Sequence, residues 1–272
     1  MRYLYIVCTT GGRSDVEGNF FDMARNMLSS ASLHNPDVTL LCNWVDLTND
    51  VRDMVLTAWG PNVQFYNIPS ERWGGKFAFH KIDVMRFMPY REGDEIVMLD
   101  VDTMVQGSLF DVFDFEFDMA ITTRPEPGLN APQHSRIAKS ELPVNLGYTA
   151  YRWSPSVSKF IDAWSLQICS PTWKPYRHML ERFHRVDSSM LCGDQDLMCT
   201  IITTQQNPFA DIDIKDVGPK YNWFPDFDGL DELDKAWEQI EPKLGDSNYR
   251  VIHLKGHLKP LAPKILAAMK EK

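Results

Sequence analysis

The run Ile96-Val97-Met98-Leu99 constrains the fold most, because four consecutive apolar residues with no polar alternation call for cover on both faces. A Gly93-Asp94 break precedes it, so the run reads as a short buried strand. It leads directly into Asp100-Val101-Asp102. In extended backbone, residues two apart point the same way, so the two carboxylates can converge on one hard cation. Open α/β sheets collect their ligands at that carboxyl end. Two solvated acids at a strand end are the ordinary alternative, and Asp-x-Asp is too short to decide between them.

The preceding residues supply the cover. Residues 3–8 read as a first strand, followed by Thr9-Thr10-Gly11-Gly12-Arg13, small and hydroxyl-bearing residues that suit either a nucleotide-admitting βα turn or a plain tight turn. Phe20, Met23, Ala24, Met27, Leu28 and Ala31 recur at helical spacing and stop before Asn35-Pro36. Residues 38–42 form a second strand. Val51, Met54, Val55 and Ala58 mark a second helix ended by Gly60-Pro61, and residues 63–66 a third strand. This β-α-β-α-β opening predicts a Rossmann-like, mainly parallel sheet flanked by helices. A helix through Phe79, Ile82 and Met85 carries Lys81 into the acidic strand.

Beyond Asp102, Leu109, Phe110, Val112 and Phe113 suggest a short packed helix, and residues 119–121 another strand. Residues 124–143 contain prolines 125, 127, 132 and 143; irregular stretches of this length often serve as lids or binding loops. Residues 144–151 read as a strand interrupted by Asn145 and Gly147. A bulge would explain the glycine, and so would close approach of a ligand to the backbone. Ser154-Pro155 caps a helix bearing Val157, Phe160, Ile161, Trp164 and Ile168.

Residues 170–192 mix Trp173 and Tyr176 with Arg177, Arg182 and Arg185, which fits a solvated loop or recognition of sugars and acidic acceptors. Gly193-Asp194-Gln195-Asp196 opens a further helix, where an acid is ordinarily an N-cap. An amphipathic helix with Leu230, Leu233, Trp237 and Ile240 follows, then a strand over residues 249–253 and a lysine-bearing terminal helix.

With 272 residues and no linker or repeat, the chain is expected to form one domain. A formal charge of -9 argues against a nucleic-acid partner. Five scattered cysteines without a C-x-x-C spacing predict reduced thiols. The first strand is too short for a signal h-region and no run approaches membrane-spanning length, so a soluble cytoplasmic protein is expected. Lys255, Lys259, Lys264, Lys270 and Lys272 make the tail locally positive. That is compatible with a membrane-surface acceptor, although a solvated helix end is the simpler account.

Together these pieces resemble the glycosyltransferases of family 8, which include glycogenin and bacterial lipopolysaccharide galactosyltransferases. The matching positions are Lys81, the stretch from Val97 through Asp100 and Asp102 to Gly107 and Asp111, Asn145 with Gly147, Asp194-Gln195-Asp196, Tyr221-Asn222, and His253 with Gly256, Lys259 and Pro260. The resemblance implies one glycosyltransferase-A domain, residues 1–123 forming the nucleotide-binding half, 124–260 the sugar and acceptor half, and 261–272 a C-terminal helix. It further implies transfer of a hexose, with retention of configuration, from a UDP-sugar, UDP-glucose or UDP-galactose, to a carbohydrate, glycolipid or glycoprotein acceptor.

In that frame Asp100, Asp102 and His253 would hold a divalent cation, and mixed carboxylate and imidazole ligands favour manganese over magnesium. Thr9, Thr10, Val101, Gly256 and Lys259 would lie along the nucleotide and its phosphates. Lys81, Asn145, Gly147 and Asp194 would surround the sugar, with Asp194 or Gln195 nearest the reacting carbon. Where the family usually continues Lys-Pro-Trp, Leu261 follows Pro260, which removes an aromatic ring from the packing there. A sugar-nucleotide pyrophosphorylase would be expected to carry a glycine-rich basic loop of which Gly11-Gly12-Arg13 is only a fragment. A non-catalytic carbohydrate- or nucleotide-binding protein would have little use for both aspartates, His253 and Lys259.

Overall fold

The computed structural model describes residues 1–9, 20–69, 80–123, 144–169, 212–225, 233–254 and 256–271. In chain order these form strand β1 (Arg2–Thr9), helix α1 (Phe20–Ser32), β2 (Thr39–Val45), α2 (Asn49–Trp59), β3 (Val63–Ile68), α3 (His80–Met85), β4 (Glu95–Leu99) and β5 (Thr103–Val105). They continue with β6 (Met119–Thr123), β7 (Val144–Arg152), α4 (Pro155–Cys169), β8 (Ile214–Asp216), α5 (Leu233–Ile240), β9 (Val251–His253) and α6 (Ala262–Glu271).

Seven strands form one sheet in the order β3-β2-β1-β4-β7-β6-β8. β3, β2, β1 and β4 run parallel, β7 is antiparallel to both of its neighbours, and β8 is parallel to β6. The expected mixed, mainly parallel α/β sheet is therefore present. β5 lies outside it and pairs antiparallel with β9 as a two-stranded ribbon.

Alternation along β1 divides the core. Leu4, Ile6 and Cys8 face one way and pack with Met27 and Leu28 of α1 and Val51 and Val55 of α2. Tyr3, Tyr5 and Val7 face the other way, onto Ile82 and Met85 of α3 and Phe160 and Trp164 of α4. A third cluster joins Met104 of β5 and Ile252 of β9 to Ala236, Ile240 and Ile265 from the last two helices. Leu261, which follows Pro260, is buried in this cluster.

The helix ends follow their caps. Thr48 Oγ1 accepts from the Val51 amide at α2, Gly60 closes that helix at φ 106°, and Ser154 Oγ accepts from Val157 at α4. Gly93, at φ 83°, makes the turn into β4, and Asp94 Oδ2 accepts from the Arg91 amide there. The segment expected as a short packed helix is a 3-10 turn, Asp111–Asp114, although Leu109, Phe110, Val112 and Phe113 are all buried as that reading requires. The last strand is shorter than expected, Val251–His253, since Tyr249 and Arg250 turn their backbone bonds to Asp246 and Lys220. β5 and β8, three residues each, carry no sequence pattern of their own.

Cys8 and Cys42 are buried and free; burial pushes the Cys8 thiol well up and that of Cys42 to about 12. Among the described residues, no helix is long and apolar enough to cross a membrane.

Candidate active site

β4 ends at Leu99 and delivers Asp100 to the carboxyl edge of the sheet. The Asp100 amide donates to Gly147 O on neighbouring β7 at 3.0 Å, and Thr103 Oγ1 donates to Asp100 O at 2.8 Å, which closes the turn holding both acids. In the β5–β9 ribbon Thr103 is the cross-strand partner of His253, and the Leu254 amide donates to Asp102 O at 2.7 Å. The ribbon thus brings an imidazole from far along the chain to the two acids. His253 Nε2 stands 3.1 Å from Asp102 Oδ1.

One ligand atom from each of Asp100, Asp102 and His253 lies within 4.8 Å of the others. Donors bound to one hard cation at about 2.0–2.6 Å can be no more than roughly 4–5 Å apart, so the three fit a single ion. Two carboxylates and an imidazole, accessible on one side, are a donor set suited to a divalent first-row metal.

Two lysines balance the acids. Lys81, on α3, places Nζ 3.0 Å from Asp100 Oδ1, and the Tyr5 hydroxyl donates to its backbone carbonyl from the sheet below. Lys259 lies in the 3-10 turn Gly256–Leu261, is nearly buried, and sets Nζ 3.7 Å from Asp102 Oδ2. Its ammonium also lies 5.6 Å from the centre of the Phe20 ring.

Gly147 has a steric reason. A Cβ built on it would overlap the His253 imidazole and come within 3.0 Å of Asn222 Oδ1. The bulge reading of this interrupted strand has a counterpart in the pairing of β6 with β7, which shifts register between Ala120 and Thr122. The group that approaches the Gly147 backbone is the chain's own His253 ring and not a ligand. Asn145 Oδ1 accepts from the Gly147 amide at 3.0 Å, which steadies the irregular backbone. The other end of that amide, Nδ2, is buried and has no hydrogen-bond partner among the described residues.

Behind the site, Asp111 fastens the strand bearing His253. Its carboxylate accepts from Tyr221 Oη at 2.7 Å, Arg250 Nε at 3.0 Å and Lys220 Nζ at 3.2 Å, and the Arg250 side chain crosses Gly107 where any Cβ would collide with it. Burial alone would push the Asp111 carboxyl up, but these donors outweigh it and hold the carboxyl below its ordinary value. Burial, and then the hydrogen bond and negative charge of Asp111, push the Tyr221 hydroxyl up, against a smaller opposing effect of Arg250. A carboxyl depressed in the folded state stabilises above its unfolded value, near 4, and loses that contribution as pH falls through the folded value. Asp111→Asn is therefore expected to lower the melting temperature at neutral pH and to flatten its fall below about pH 4. Melting curves with the wild-type acid slope would contradict this.

Lys81, Asp100, Asp102, Asn145, Gly147, His253 and Lys259 gather at one edge of the sheet. Thr9 ends β1, the strand beside β4, at that same edge. The Val101 side chain packs into the core, which leaves its backbone for any ligand. Gly256 opens the turn that carries Lys259. Thr10, Asp194 and Gln195, with residues 124–143 and 170–192, lie outside the described residues. The sequence reading gave no site role to Asn222, Thr122 or Asp111. Asn222 and Asp111 belong to matching motifs, but their partners are far along the chain: Thr122, Asn145 and His253 for Asn222, and Lys220, Tyr221 and Arg250 for Asp111.

No protein-family model matches the chain, and no curated protein matches it. Among solved structures it is similar to the glycosyltransferase GlyE of Streptococcus pneumoniae TIGR4, with a TM-score of 0.58 and 13% identity over 99% of this chain. The chain spans 62% of the length of the GlyE chain. It is also similar to mouse xyloside xylosyltransferase 1 in its apo form, with a TM-score of 0.54 and 13% identity, covering 93% of this chain and 96% of that one. At these identities the likeness is one of fold: the chain has the α/β architecture of these glycosyltransferases.

Proposed function

We propose that the chain is a metal-dependent glycosyltransferase that moves a hexose from a UDP-sugar, UDP-glucose or UDP-galactose, to a carbohydrate, glycolipid or glycoprotein acceptor with retention of configuration. The observation that carries the reading is the convergence of Asp100, Asp102 and His253 on one point at the carboxyl edge of a sheet similar to that of glycosyltransferases. A divalent cation held there, manganese in preference to magnesium, would supply charge to the diphosphate as the sugar departs.

The chain's own residues then have distinct tasks. Lys259, nearly buried beside Asp102, offsets negative charge on the leaving phosphate. Lys81, Asn145 and Gly147 line the sugar, Lys81 as a cation and Asn145 as an amide. Thr9 and Thr10 border the base and ribose, the Val101 and Gly256 backbones approach the phosphates, and Asp194 or Gln195 stands nearest the anomeric carbon.

Among the described residues, the formal negative charges of Asp100 and Asp102 are offset by Lys81 and Lys259, so these groups draw a cation only weakly by themselves. Mn2+ and UDP together are expected to raise the melting temperature by roughly 5 to 10 °C at a hundredfold excess over Kd, as follows from about 2.7 kcal/mol of linkage. Mn2+ alone should give a smaller shift, and chelator should abolish both. No shift with saturating Mn2+ and UDP would overturn the reading.

A further inference from the structure

We infer that Asn222 is a positioning residue that fixes which nitrogen of His253 is offered to the metal. The inference rests on the metal reading of this site and concerns how the chain prepares its third ligand.

Asn222 follows the 3-10 turn Pro219–Tyr221 and is buried beside β9. Trp223 bridges in parallel to Ile252, donating to Val251 O at 2.9 Å and accepting from the His253 amide at 2.7 Å. This local ladder sets the Asn222 and His253 side chains against each other, with His253 Nδ1 2.9 Å from Asn222 Oδ1.

The orientation of the Asn222 amide follows from its other neighbours. Nδ2 lies 2.8 Å from Thr122 Oγ1 and 3.3 Å from Asn145 O. A carbonyl can only accept, and the Thr122 hydroxyl already gives its hydrogen to Asn145 O at 2.6 Å. That side of the amide must be the NH2, and the side facing His253 must be the oxygen. Oδ1 in turn accepts, so Nδ1 must carry a hydrogen. Nε2 is left as the nitrogen aimed at Asp102 and the cation position.

Gly147 completes the device. Lacking a Cβ, it lets the Nδ1 edge of the imidazole and Asn222 Oδ1 both rest against β7. Ring tilt and the hydrogen on Nδ1 are thereby set by buried groups, Thr122, Asn145, Gly147 and Asn222, and a cation would replace whatever hydrogen Nε2 shares with Asp102 Oδ1, 3.1 Å away. Free histidine side chains favour the opposite tautomer, with the hydrogen on Nε2, so this preparation removes a cost from metal binding. Loss of such an outer partner typically lowers metal affinity about 10- to 100-fold.

The test combines two measurements on the full chain. In metal-free wild-type protein, 1H–15N NMR of the imidazoles is expected to show a slowly exchanging Nδ1–H on His253, lost in Asn222→Ala. A His253 ring whose only hydrogen sits on Nε2 would overturn the inference.

Mn2+ titration followed by electron paramagnetic resonance, with and without UDP, is expected to show affinity lowered 10- to 100-fold in Asn222→Ala. Asn222→Asp keeps an acceptor opposite Nδ1, as in carboxylate–histidine–metal triads, but sets an oxygen against Asn145 O where the Nδ2 donor stood, so it should keep the His253 Nδ1–H and lose less affinity than Asn222→Ala. Equal Mn2+ affinity in wild type and Asn222→Ala would overturn the inference while leaving the metal reading intact. Wild-type protein that binds no Mn2+ with or without UDP would overturn the metal reading and this inference with it. Should Asn222→Ala fail to fold, the wild-type spectrum decides the matter: an Nδ1–H on His253 supports the inference and its absence overturns it.

Discussion

Asp102→Asn is expected to lower sugar transfer, or UDP-sugar hydrolysis, by about a thousandfold or more and to abolish metal-dependent UDP binding without unfolding the chain. The substitution conserves volume and removes the charge that faces both His253 and Lys259. A bound metal contributes several kcal/mol of charge stabilisation, and three decades in rate correspond to about 4 kcal/mol. The fold should survive because the Asp102 side chain is partly exposed, while its backbone carbonyl still receives the Leu254 amide. Asp100→Asn should behave alike, with Lys81 losing its carboxylate partner. A panel of nucleotide sugars with Mn2+, scored for released UDP alongside circular-dichroism melting, measures both effects. Activity unchanged in either variant, or in excess chelator, would refute the proposed chemistry.

Gly147→Ala should damage metal binding more than any other single methyl added to the sheet. The new Cβ would have to displace the His253 ring, whose Nε2 is the proposed ligand, and would crowd Asn222 at the same time. Overpacking a closed interior typically costs about 1–3 kcal/mol, which for a chain of this size lowers the melting temperature by roughly 2 to 12 °C. A displaced ligand should cost more than tenfold in Mn2+ affinity. The expected signature is a folded protein, modestly destabilised, that responds poorly to Mn2+ with UDP. Wild-type Mn2+ affinity in a folded Gly147→Ala protein would show that the ring has room the structure does not give it.

The elements most legible in the sequence were those with long periodic patterns. The apolar run of β1, the apolar face of α1 and the capped ends of α2 and α4 declare themselves because each carries its pattern or cap within its own few residues, even though their partners are distant. β5 and β8 were illegible for the opposite reason. Three residues carry no period, and both strands exist through pairing, β5 with β9 and β8 with β6.

The site divides in the same way. Asp100 and Asp102 are visible as two acids following an apolar run, but they converge through a turn after β4 and not, as the spacing suggested, through the alternation of an extended strand. His253 was proposed as their partner by resemblance, and the ribbon supplies the physical link. Asn222 was quoted only as part of a motif, since its role depends on the apposition of Trp223 with Ile252. Gly147 read equally well as a bulge or a ligand contact, and the group that crowds it is an imidazole 106 positions away, a distance no local pattern spans.

The β5–β9 ribbon has a consequence for how the molecule holds together. Its strands belong to opposite halves of the chain, and the third apolar cluster, from Met104 to Ile265, is built around it. A cation clasped by Asp102 and His253 would therefore act as a reversible cross-link closing a long loop, and its binding energy would count as folding energy for the C-terminal portion. Amide exchange in α5, β9 and α6 should then slow when the metal and nucleotide bind, while exchange in β1 and β2, already sealed between two cores, should hardly change.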